Sequence, residues 1–133
     1  MINWDHCGED ARIAYTTGHE AAIEHAANGR KSRETLFEAY VMNAFADHYL
    51  QDFFLAGYLR VPRRLLYGMT GMADKLAQYM HDEDSAFGLQ VEDASGSRWT
   101  AFGDRKLLDK VNEVNLLKCQ AAAAASAREV YDA

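Results

Sequence analysis

The sequence predicts an all-α single domain, and three observations carry that expectation. Only one proline interrupts 133 residues. Alanine-bearing stretches recur, and apolar residues return at spacings of three and four along most of the chain. The expected architecture is a helical bundle of about four helices, with a short β-hairpin before the last, spanning residues 1–133.

The first helix is expected from about Glu9 to Asn28 with Gly29 as its stop, and Gly18 is its internal weak point. The second opens after Ser32, a side chain suited to an N-cap, carries Glu34 in its first turn and runs to about Leu55 before Gly57. The third begins at Pro62, which suits a first helical position, and runs to about His81. An acidic loop, Asp82-Glu83-Asp84, follows. Leu89–Glu92 and Arg98–Ala101 flank Asp93-Ala94-Ser95-Gly96-Ser97, a pattern that predicts a hairpin. The fourth helix is expected from about Lys106 to Val130, with Leu107, Val111, Val114 and Leu117 as its apolar stripe. Its alanines at 121–125 allow close approach of a partner, so a homo-oligomer through this helix is one expectation.

Composition narrows the function classes. Hydrophobic residues at 49% and charged residues at 26% are ordinary for a globular chain. A net charge of −6 argues against a general binder of double-stranded nucleic acid, which needs a basic footprint. It does not argue against an enzyme that meets phosphodiesters through bound cations. Cys7 and Cys119 form no framework of bridges and no C-x-x-C motif, so a reducing, cytoplasmic setting is the default. The start, Met1 to His6, carries no secretory pattern, and no apolar run is long enough for a transmembrane segment.

The informative residues are polar ones on apolar faces. On the second helix Phe37, Val41, Ala44, His48, Asp52 and Leu55 share one helical stripe. His48 and Asp52 thus stand where leucines are expected, and a buried aspartate needs a partner or a cation. One turn apart, the two can reach one ion together; a buried histidine–carboxylate pair would satisfy Asp52 equally well. On the first helix Tyr15, His19, Ala22, Ile23 and Ala26 form the apolar stripe, with His19 facing inward and Glu24 and His25 turned away. His81 lies at a helix end, where the negative terminus favours its protonated form. His6 is expected on the surface. Other motifs fail: His19-Glu20 opens like H-E-x-x-H but Ile23 stands at the last position, and no Walker loop, G-x-G-x-x-G or G-x-S-x-G occurs.

His48-Tyr49-Leu50-Gln51-Asp52 resembles the H-x-x-x-D metal-binding helix of the bacterial zinc-dependent phospholipase C family, whose superfamily includes zinc-dependent single-strand nucleases. Asn43 to His48, Ala56-Gly57 through Pro62-Arg63, Met80 to Asp84, and Trp99 through Asp104 also resemble phospholipase-like bacterial chains. The separation of Asp5 from His19 matches an aspartate and histidine of the family. The resemblance implies an all-helical fold and zinc held by Asp5, His19, His48 and Asp52, joined by His81 and Glu83. It further implies hydrolysis of a phosphoester or phospholipid by zinc-activated water, with Asp5 catalytic as well as ligating. Two departures weaken the site. Tyr58 stands where the family has a further histidine, and Trp4 is too close to Asp5 to serve as the family's amino-terminal ligand. Phe54, Tyr58 and Arg60 are the candidate substrate-binding residues, and Arg63 and Arg64 are further cations for an anionic group. The alternative is a non-catalytic helical binding module that retains a degenerate metal site.

Overall fold

A computed structural model describes residues 4–133 of the chain, the side chain of Asp104 excepted; the first three residues, scanned above for a leader, lie outside the described set. A 3-10 turn, Trp4–His6, leads into α1 (Gly8–Asn28) and α2 (Arg33–Asp52). Two short helices, α3 (Ala56–Leu59) and α4 (Arg63–Met69), precede α5 (Ala73–Phe87). An antiparallel hairpin of β1 (Leu89–Glu92) and β2 (Arg98–Ala101) then passes through 3-10 turns at Asp104–Lys106 and Lys110–Asn112 into α6 (Glu113–Asp132). The class is all-α, and the hairpin has the expected strands, with Leu89 paired to Ala101 and Glu92 to Arg98. Among the described residues no helix is long and apolar enough to cross a membrane.

The most extensive packing is that of α1 along α2, with α6 laid against α2. A Cβ added at Gly18 would stand 2.9 Å from the Cβ of Ala46, so the two helices meet almost backbone to backbone. That spacing decides which side chains turn inward. Ala22, Ala26, Ala39 and Val130 form one buried cluster with Ile23 and Tyr40 against it. Asn43 and Ala46 complete the inner face of α2. Phe37 and Val41 are too large for so narrow a seam and point outward at 66% and 56% exposure, which corrects the expected α2 stripe, and Phe45 is outward as well. Asp52 is nevertheless buried, whereas His48 and Ala44 are exposed. A second cluster joins Cys7, Val61 and Ala77, flanked by Tyr58, Leu66 and Met80.

Several boundaries also differ from expectation. Helix α2 ends at Asp52 because the chain turns at once: Phe53 and Phe54 donate back to the carbonyls of Leu50 and Gln51, at 3.2 and 2.9 Å. Pro62 precedes α4, and the expected third helix is split where the Thr70 hydroxyl accepts the Met72 N–H at 3.1 Å. Asp82, Glu83 and Asp84 are helical, within an α5 that stops at Gly88, whose φ of 77° suits a residue without Cβ. Helix α6 starts at Glu113, later than predicted. Its inner face is polar or small: Asn115, Cys119 and Ser126, with Val130 near the end. Val111, Val114 and Leu117, expected to be core, are exposed, and Leu107 is half-buried.

Asparagines hold the hairpin to the helices. Asn115 accepts from the Trp99 indole at 2.8 Å and donates to the Phe54 carbonyl at 2.6 Å, while Asn112 accepts the Phe102 N–H at 3.1 Å. Both asparagines are fully buried, so these bonds answer an otherwise costly desolvation. They fix the junction that carries α3 across the end of α2.

Candidate metal centre

The end of α2, the 3-10 turn before α1, and α3 converge on one polar group. His48 and Asp52 project from the last turn of α2 one helical turn apart. His6 sits on the turn before α1, and its Nδ1 lies 2.8 Å from the Oδ2 of Asp52. The rings of His6 and His48 meet edge to face at 4.9 Å. One ligand atom from each of His6, His48 and Asp52 lies within 4.8 Å of the other two, so this group could hold a metal ion. Two imidazoles and a carboxylate are a donor set that zinc accepts. Asp52 is 4% exposed and His48 open to solvent, so the group has a closed side and an accessible one.

Aromatic and acidic neighbours surround it. The Tyr49 hydroxyl donates to Asp5 Oδ2 at 3.3 Å, and Asp5 Oδ1 stands 3.9 Å from His6 Nε2. Tyr49 is held protonated beyond the usual tyrosine range by burial and by the charges of Asp5 and Asp52. Tyr58 of α3 lies 5.9 Å from His6 on one side and 5.0 Å from His81 on the other, ring centre to ring centre. Gly57 lets His81 come this close, since a Cβ there would sit 2.7 Å from its Nε2.

The predicted residues therefore divide. His48 and Asp52 come together, with Asp5 beside them. His19 does not join them: its Nδ1 lies 2.6 Å from Asn43 Oδ1 and its Nε2 2.8 Å from Glu129 Oε2, so both nitrogens are engaged elsewhere. Ser126, which donates to Asp47 at 2.7 Å, closes that second network between α1, α2 and α6. His19 faces inward as expected, but toward partners that supply hydrogen bonds and not toward the end of α2. Burial pushes its pKa down, yet the bonds to Asn43 and Glu129 and the nearby carboxylates outweigh this and leave it raised. His81 is half-buried beside Tyr58 and 3.1 Å from the exposed Asp82. Glu83 is exposed. Neither belongs to the three-residue group.

The substrate-binding candidates divide too. Tyr58 borders the group. Arg60 grips buried Asp84 with two nitrogens, the Nε–Oδ2 distance being 2.7 Å. That pairing answers the cost of burying Asp84 and commits the guanidinium to structure. Phe54 lines a separate cleft of about 620 Å³ with Trp99 and Lys118. His6, expected on the surface, is the residue that the sequence concealed. No spacing rule joins positions 6 and 52, and its only hint is its place next to Asp5.

No protein-family model matches the chain, and no curated protein or solved structure matches it.

Proposed function

We propose that this protein is a zinc-dependent hydrolase of phosphodiester bonds, with His6, His48 and Asp52 as the metal ligands. The observation that carries the reading is the convergence of these three donors from two distant segments onto one point. Bound there, zinc would lower the pKa of a coordinated water toward 7 and offset charge on the phosphoryl oxygens. Asp52 would anchor the cation from the closed side, and the exposed imidazole of His48 would complete the open rim. Asp5, exposed and bonded by the Tyr49 hydroxyl, would accept a proton from the attacking water. Tyr58, whose ring centre lies 5.9 Å from that of His6, would border a substrate bound there.

Metal content of the purified chain tests this reading. Near-stoichiometric zinc, lost together with phosphodiesterase activity in Asp52→Ala, is expected. Metal-free protein that binds no added zinc overturns it.

One observation favours a second reading. The His6–Asp52 bond at 2.8 Å satisfies the buried carboxylate without any cation, and Tyr58 replaces a ligand type of the resembled family. A non-catalytic helical binding module would keep this pair as a structural tie. A chelator would then leave the melting temperature unchanged, whereas a resident ion would stabilise the fold that binds it.

A further inference from the structure

Helix α2 carries an apolar face that the fold leaves exposed. Phe37, Val41 and Phe45 recur every four residues on the side of α2 opposite Ala39, Asn43 and Ala46, which pack inward. All three are more than half exposed, and Ala44 beside them is exposed too. Phenylalanine presents about 150–250 Å² of surface, so two that are about two-thirds exposed leave about 200–330 Å² of it in water. Contiguous apolar patches of that order mark interaction sites. The residues are also arranged symmetrically about Val41. Phe37 and Phe45 stand four positions to either side of it, and Glu34 and His48 stand seven positions to either side, all on the same helical face. Glu34 and His48 are exposed.

We propose that two copies of this chain form a two-fold dimer through the outer face of α2, antiparallel and centred on Val41. A two-fold axis there sets Val41 against the partner's Val41 and Phe37 against the partner's Phe45. It also brings the Glu34 carboxylate, an acceptor, to the partner's His48, a donor, at both ends. A face whose apolar residues mirror one another and whose polar ends are complementary has the self-complementarity that an isologous contact requires. The apolar centre supplies the affinity, while the two rim pairs fix register and orientation and add little strength. The net charge of −6, with Glu34 and Glu38 flanking the patch, disfavours an anionic lipid surface as the occupant. Helix α2 begins at Arg33, so the partner's helix ends beside His48 without extending over Asp52. The dimer requires no bound metal, so its failure and that of the hydrolase reading are separate.

The test is sedimentation equilibrium of the whole chain, held in chelator, from about 1 to 500 µM. A mass that rises from one chain to two is expected. Val41→Glu sets two carboxylates against each other on the axis and is expected to leave a monomer. Val41 is exposed and glutamate is the better helix former, so helical circular dichroism should be unchanged. Glu34→Ala is expected to weaken dimerisation by roughly 2- to 30-fold, because a rim pair is lost at both ends. Leu117→Glu, on the exposed side of α6, should dimerise as the unaltered chain does. A strict monomer at the highest concentration overturns the proposal and leaves the face to a different partner. A dimer that survives Val41→Glu, one unmoved by Glu34→Ala, one lost in Leu117→Glu, or growth beyond two chains would overturn it equally.

Discussion

His6 and Asp52, 46 positions apart, are joined by a 2.8 Å bond that closes the amino-terminal turn onto the end of α2. The carboxylate is buried, so the bond is made where an unpaired charge would be expensive. A cation entering this group would take the place of the proton that the pair shares. Any metal affinity of this group would thereby depend on the carboxylate that also ties the turn to α2.

Asp52→Ala is expected to destabilise the metal-free chain by about 1–3 kcal/mol, since it strips a buried carboxylate's hydrogen bond to His6. Urea denaturation in chelator measures this. Unchanged stability would mean that the pair contributes nothing to the fold.

Zinc titration provides the complementary measurement. At a free concentration a hundredfold above the dissociation constant, a ligand of the folded state alone stabilises it by about 2.7 kcal/mol. His48→Ala should abolish that gain while leaving the metal-free chain as stable as before, because His48 is exposed and forms no buried tie. A gain that survives in this variant places the ion elsewhere.

The His19 network predicts a pH dependence. With Nδ1 toward the Asn43 oxygen and Nε2 toward Glu129, both ring nitrogens are placed to donate, which favours the imidazolium and raises the folded pKa despite burial. The contribution is complete below the ordinary histidine value of about 6.5. It is lost as pH rises through the elevated folded value. Denaturation midpoints should therefore fall across that interval on the alkaline side, and His19→Gln should flatten the fall. A rise over the same interval would contradict the network.

Gly103→Ala tests the seat of the hairpin on α5. The new Cβ would lie 2.5 Å from the Cα of Ser85 and fall on its side chain, while the Gly103 N–H is bonded to the Ser85 carbonyl at 3.0 Å. Backbone cannot yield as a flexible side chain can, so a loss of about 1–3 kcal/mol is expected. Thermal or urea unfolding reads it directly.

Local signals explain what was legible in the sequence. Ser32 caps α2 by accepting the Thr35 N–H at 3.2 Å, and the Asp93 carboxylate organises the hairpin turn through the N–H groups of Ser95 and Ser97. Both are short-range chemistry with residue-specific signatures. The choice of buried face was not legible, because size and not polarity governs it here. Between α1 and α2 the seam admits alanine and asparagine and rejects phenylalanine, so a hydrophobicity period pointed to the wrong side of α2. Asp52 is buried although the stripe that placed it inward is otherwise exposed at Phe37, Val41, Ala44 and His48. Its burial owes to the turn that follows the helix and not to that phase. Its partner was not legible, since the bond to His6 depends on how the amino-terminal turn folds back, which no local pattern encodes.

Helix α2 serves two polar assemblies at different levels of its length: Asn43 and Asp47 with α6, and His48 and Asp52 with the amino-terminal turn. The first draws its remaining members from α1 and α6, the second from the amino-terminal turn. Either assembly can therefore be rewritten by substitution without touching the other's donors, leaving α2 as a shared spine along which two separate polar networks are mounted.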